Sequence, residues 1–273
     1  MKSIRKAALS AFLAISVILS TNVPAFAEQN VAPYFCNTSE ELAIYVLKIV
    51  EERKQDLIVK IPNYLPEADM GSFELLKHIY KQDSGFIRWG HGGTAFSKAR
   101  DKKNTTFNFT MFYRTTKEQD DAAIILAAEM VEKWKVGNLS EREKINKLKS
   151  YISANWRYDM TLENLSAYPT MVNRKGTCLG FVMACQLLLN EMGIPSQTIH
   201  GKFERSKETH IRMLVKLGNL WYTFDPTGLA SDAPDLSAHL KSSYTGSFIP
   251  DSEYLTEEFR RGHPMNRGDL ALL

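Results

Sequence analysis

Three cysteines and six histidines, with the carboxylates near them, are the groups in this 273-residue chain best suited to covalent chemistry. Cys178 follows the polar run Asn173-Arg174-Lys175-Gly176-Thr177 and opens an apolar stretch ending at Met192. Within it Phe181, Val182, Cys185, Leu188, Leu189 and Met192 recur at helical spacing, and Gly193 and Pro195 stop the helix. A sulfur in the first turn of a helix faces the positive end of the backbone dipole. That favours the thiolate, the form that attacks carbonyl carbons. Arg174 and Lys175 add basic charge next to it. A loop–helix junction is a cleft position rather than a core position, whereas Cys185, mid-helix on the apolar side, reads as core filling. Seven residues of helix separate the two sulfurs by ~10.5 Å along the axis, too far for a disulfide.

A thiolate nucleophile needs a base, and the base needs a group to orient it. The segments 209–217 and 220–225 read as strands joined by Gly218-Asn219, a two-residue turn with Gly first, as type II′ prefers. That turn places His210 opposite Thr227 and Arg212 opposite Asp225. His210 and Asp225 then project from one face as diagonal neighbours, within side-chain reach. A carboxylate beside an imidazole fixes its tautomer and stabilises the imidazolium. Cys178, His210 and Asp225 are therefore the candidate nucleophile, base and orienter.

The blocks Gly176-Thr177-Cys178-Leu179-Gly180-Phe181, 187–195, Gly201, His210 and Trp221-Tyr222-Thr223-Phe224-Asp225-Pro226-Thr227 resemble the transglutaminase-like core, as do Tyr158-Asp159 and Ser166-Ala167-Tyr168. The resemblance covers about residues 140 to 228. The helix start at Thr115–Gln119 is similar to the region that precedes this core in exported bacterial members. The resemblance implies a papain-like fold, with Cys on a helix and His and Asp on adjacent antiparallel strands, and it assigns the same three roles to Cys178, His210 and Asp225. The family usually carries His-Ala-Trp where this chain has His210-Ile211-Arg212. An Arg opposite Asp225 is expected to compete with His210 for the carboxylate, which makes Arg212 a candidate modulator. Trp156 and Tyr158, just upstream, are candidates for lining the cleft or assisting an oxyanion hole, with core packing an equal reading for Trp156. The other oxyanion donor is the backbone N–H of Cys178.

The elements that must position these groups form an α+β fold. Thr38-Ser39-Glu40-Glu41 and Ser140-Glu141-Arg142-Glu143 are capping boxes, and Thr116–Gln119 caps a helix running to about Lys135. Residues 57–61 and 106–113 read as strands, 73–80 as helix, and 85–104, rich in Gly and Lys/Arg, as loop. The expected organisation is a signal peptide over 1–27, an N-terminal α/β region over 28–137, and the catalytic core with a C-terminal tail over 138–273.

Lys2, Arg5 and Lys6 precede an apolar run, Ala7 to Leu19, and Ala25-Phe26-Ala27 supplies small residues at a cleavage site. Without those three cations the balance is 31 basic against 31 acidic residues. A neutral mature chain gives no electrostatic case for nucleic acid or an anionic membrane, and no later stretch approaches the ~20 apolar residues of a membrane span. Cys178 and Cys185 are too widely spaced for a zinc pair, and no phosphate-binding Gly-Lys-Ser/Thr loop occurs, so neither a metal nor another cofactor is expected. The basic run Lys98, Arg100, Lys102 and Lys103 reads as a solvated loop. The expected protein is secreted and transfers acyl groups from a peptide or protein substrate, cell-surface ones included. Water is the favoured acceptor, which makes it a peptidase or amidase; the alternative, an amine, makes it a transglutaminase that cross-links protein glutamine to amines. A non-catalytic binding or cell-wall-associated module is the alternative from another class. The state of Cys36 and the oligomeric state are open at this level.

Overall fold

In the computed structural model, which describes residues 31–80, 91–204, 209–230 and 248–269, the chain divides between Tyr113 and Arg114 into two units. The leader, 1–27, and residues 85–90 of the expected loop lie outside the described residues.

The first unit holds β1 (Tyr34–Phe35), α1 (Ser39–Glu51), β2 (Asp56–Pro62), α2 (Ser72–Tyr80), β3 (His91–Arg100) and β4 (Asn104–Tyr113), with sheet order β1-β2-β4-β3. Thr38 caps α1 by accepting from the Glu41 N–H. The Glu41 carboxylate reaches back to the Asn37 N–H, one residue beyond the cap expected of a capping box. Alternation in β2 and β4 buries Leu57, Val59, Ile61, Phe107, Phe109 and Met111 on one face, against the apolar stripe of α1. Cys36 is fully enclosed in this core. Burial, with the Glu41 charge adding to it, pushes its thiol up to about 12.

Residues 91–100 correct the loop reading, because they pair along their length with β4. Gly92, Gly93 and the basic side chains mask the alternation. The turn is closed by Asp101, which accepts from the N–H groups of Lys103 and Asn104 at 2.7 and 2.8 Å. The basic run is anchored as well: Lys98 donates to the Met70 carbonyl, and Arg100 to the Ala68 carbonyl and the Asp69 carboxylate.

The second unit begins with α3 (Lys117–Trp134) and α4 (Glu141–Asn155), both opened by complete capping boxes at Thr116/Gln119 and Ser140/Glu143. Then come β5 (Arg157–Tyr158), α5 (Ala167–Asn173), β6 (Lys175–Gly176), α6 (Cys178–Glu191), β7 (Ser196–Phe203), β8 (Thr209–Leu217) and β9 (Leu220–Phe224). β10 (Phe248–Pro250), α7 (Glu257–Gly262) and β11 (Met265–Asp269) complete it. The sheet runs β10-β7-β8-β9-β11, so both edge strands come from the last residues described. α3 packs on α5 and α6, and this places the helix with the second unit rather than with the 28–137 region expected for it.

α6 is buried on nearly every side, and Cys185 at its middle is fully enclosed. Its thiol is pushed well above the ordinary value by burial and by the nearby Asp225 charge. Cys185→Ala is expected to cost about 1–3 kcal/mol in urea denaturation, with turnover per folded molecule unchanged. Normal stability with lost activity would mean that the two helix cysteines have exchanged roles.

Candidate active site

The Cys178 sulfur is set by the way its helix starts. Thr177 is the N-cap in extended geometry, and its hydroxyl accepts from the Gly180 N–H. Cys178 is the first helical residue, so the helix spends no bond on its backbone N–H. Two glycines let this turn seat tightly. A Cβ at Gly180 would lie 2.6 Å from the Asn164 carbonyl oxygen, and one at Gly176 would lie 2.7 Å from the Thr170 side chain. Cys178 is only 6% exposed, more enclosed than the open cleft position expected for it.

β8 and β9 meet in the register expected from the turn. Gly218 has φ of +58°, Leu217 faces Leu220, and Met213 faces Phe224. One residue beyond the strand, Asp225 reaches back diagonally, and His210 Nε2 lies 2.6 Å from its Oδ2. The Thr227 N–H donates to Oδ1 at 3.0 Å. With Nε2 on the carboxylate, Nδ1 is the ring nitrogen left for Cys178, to which His210 is hydrogen-bonded.

Burial alone would depress the charged imidazole. The Asp225 carboxylate and the Cys178 sulfur outweigh it and push His210 up to about 10. Burial likewise opposes ionisation of Asp225, and the His210 charge and hydrogen bond overcome it. With the Arg212 charge and the Thr227 N–H, they hold that carboxyl below its ordinary range.

The imidazole is covered by aromatic rings. Phe203 stacks on it at 5.0 Å between centroids and Phe248 meets it edge-on at 6.2 Å. Gly201, opposite His210, makes room, since a Cβ there would come 2.7 Å from the Phe248 ring. Arg212 lies with its guanidinium 3.9 Å from the centre of the same ring. Its charge acts on Asp225, yet His210 keeps its short contact with Oδ2, so the two interactions coexist. Replacing Arg212 with Trp is therefore not expected to raise the rate. Removing that cation raises the folded pKa of Asp225, so activity should fall away at higher pH on the acid side, which a pH–rate profile reads directly. An unmoved acid limb would show that Arg212 has no hold on the carboxylate.

Trp156 is fully buried and stacked on Phe181 at 5.4 Å, which makes it core rather than cleft lining. Tyr158 is half-buried, meets the Phe181 ring edge-on, and pairs through β5 with Gly176 beside the start of α6. Phe203, Phe248 and Thr227 carry no chemistry-bearing signature of their own in sequence. Among the described residues no cluster of three His, Cys, Asp or Glu could hold a metal, and no helix is long and apolar enough to cross a membrane.

The family model for the transglutaminase-like superfamily matches residues 128–226. That stretch is a transglutaminase-like core. It takes in the end of α3 and runs one residue past Asp225, beginning earlier than the span seen in sequence. Among solved structures, one described as a TGase is similar, at 16% identity over 72% of this chain and 59% of its own, with a TM-score of 0.38. A candidate cysteine protease from Cytophaga hutchinsonii is similar at 17% identity over 50% of this chain and 62% of its own, TM-score 0.32. A candidate protease from Parabacteroides distasonis follows at 11%, over 62% and 39%, TM-score 0.31. The chain thus spans less than two thirds of each. No curated protein matches the chain. The fold is α+β, with a Cys-bearing helix beside a mainly antiparallel sheet in which only β11 among the described strands of that sheet runs parallel to its neighbour. The transglutaminase-like core supports a cysteine-type acyl-transfer enzyme in the broad sense.

Proposed function

We propose that this chain is an exported cysteine hydrolase that cleaves peptide or glutamine carboxamides through a Cys178 thioester. The observation that carries the reading is His210, held between the Cys178 sulfur and a buried Asp225 and raised to about 10. An imidazolium hydrogen-bonded to a cysteine sulfur and held by a carboxylate is the arrangement that activates a thiol nucleophile.

In the first half-reaction the Cys178 sulfur attacks the carboxamide carbon and the C–S bond forms. The oxyanion is met by the Cys178 backbone N–H. The C–N bond then breaks, and the His210 proton leaves with the amine or ammonia. In the second half, neutral His210 takes a proton from water as the new C–O bond forms and the C–S bond breaks, which restores the ion pair. Asp225 stays ionised throughout and holds the ring. Water is favoured as acceptor because an exported site works in bulk water and nothing in the sequence marks an amine channel. Export rests on the leader, residues 1–27, whose removal N-terminal sequencing of the secreted protein would read.

Mass spectrometry of a glutamine-bearing peptide, with and without a primary amine, tests the reading. A cleaved backbone, or deamidation indifferent to the amine, supports the hydrolase. Amine addition makes the enzyme a transglutaminase. No change, together with Cys178 labelling by iodoacetamide no faster than Cys36 and Cys185, leaves a binding module and overturns the proposal.

A further inference from the structure

One fully buried carboxylate in the second unit takes no part in the chemistry above. Asp159 is 0% exposed and receives five hydrogen bonds. Its Oδ1 accepts from the Thr161 N–H and hydroxyl at 3.0 and 2.7 Å, with Lys175 Nζ 3.3 Å away. Its Oδ2 accepts from the Glu163 and Asn164 N–H groups at 3.0 and 2.9 Å and from the Asn164 side chain at 2.7 Å. Burial alone would raise this carboxyl, but the donors hold it well below the usual carboxylate range. Five converging donors and a lysine make a fixed anion around which residues 159–164 are wound.

That winding ends on the start of α6. The Asn164 carbonyl accepts from the Thr177 N–H at 3.2 Å, and its oxygen fills the space where a Gly180 side chain would be. The Asp159 N–H donates to the Gly176 carbonyl at 2.9 Å. Gly176 and Thr177 before Cys178, and Gly180 after it, are thus seated on the turn that the Asp159 carboxylate organises, and the backbone N–H of Cys178 lies between them. We infer that Asp159 is a positioning residue for the oxyanion hole: through Asn164 and Thr177 it fixes where the Cys178 N–H points.

The inference rests on the acyl-transfer reading, and two readouts separate them. Alkylation by iodoacetamide displaces iodide and develops no oxyanion, so it reports the Cys178–His210 pair alone. Turnover of the glutamine peptide needs that pair and the N–H direction. In Asp159→Asn the amide cannot accept from all five donors. Displacing an oxyanion donor, short of removing it, costs roughly 10- to 100-fold. The expected result is a kcat lower by that factor, KM within twofold, and an unchanged rate and pH profile of Cys178 alkylation. Asn164→Ala, which keeps the carbonyl but drops one donor to Asp159, should show the same split at smaller size, and it serves as the test if the first variant does not fold. Wild-type kcat in the folded variants, or alkylation falling in step with turnover, overturns the positioning role. A wild-type chain that alkylates slowly and turns nothing over overturns the acyl-transfer reading instead.

Discussion

Cys178→Ala is expected to reduce turnover of the glutamine peptide to the uncatalysed background, a loss of at least ~10⁴-fold, with the fold retained. The whole of the proposed chemistry passes through one sulfur, and no other cysteine can replace it. Cys185 is seven residues further along the same helix and enclosed, and Cys36 is enclosed in the other unit. The fold should tolerate the change because the alanine keeps the Cβ, and Thr177 still caps the helix through the Gly180 N–H. Circular dichroism matching wild type with no turnover is the outcome in favour. A variant as active as wild type would falsify the assignment of the nucleophile.

Asp225→Asn should cost about 10³–10⁴-fold in kcat, since the ring loses the partner that fixes its tautomer and holds its proton. The pH dependence follows with a definite sign. His210 has a folded pKa raised to about 10, so its contribution to stability is complete below its unfolded value near 6.5 and is lost as pH rises through about 10. Asp225 is depressed, so its contribution is present above the unfolded carboxylate value and is lost as pH falls through the folded one. In the wild type, turnover, which needs the His210 proton for the departing amine, should therefore keep its alkaline limb well above neutral pH. With the carboxylate gone, burial dominates and His210 gives up its proton at lower pH, bringing the alkaline limb down. Breaking a buried pair of this kind costs roughly 3 kcal/mol. An alkaline limb that stays in place would show that Asp225 does not control the imidazole.

The site was readable from sequence where local geometry dictates long-range contact. A two-residue turn leaves no freedom in register, so Gly218-Asn219 alone brings Asp225 to His210. A capping residue before an apolar run sets Cys178 at a helix start in the same way. The expectations that failed depend on partners distant in sequence. β3 looks like a loop until β4 is beside it, because its glycines and basic residues hide the alternation. Arg212 looks like a competitor until the Phe248 ring, brought in by β10, is found beneath it. The aromatic cover over His210 could not be seen, since nothing in its sequence neighbours announces Phe203 and Phe248 on the ring. Asp159 is legible only as part of a Tyr-Asp pair; its five donors follow it within five residues, but an isolated acidic residue carries no mark of burial.

The strand order β10-β7-β8-β9-β11 bears on how the protein is made. β7, β8 and β9 are contiguous hairpin neighbours, but the strands that flank them are Phe248–Pro250 and Met265–Asp269. During synthesis, the central three strands therefore emerge with both outer backbones unsatisfied, the β7 edge until Phe248–Pro250 and the β9 edge until Met265–Asp269 have followed. A nascent or clipped chain ending near Ala230 presents two sticky borders to other such chains. For the export proposed above, translocation as an unfolded thread, with folding only after release on the far side, would spare the protein that exposed stage.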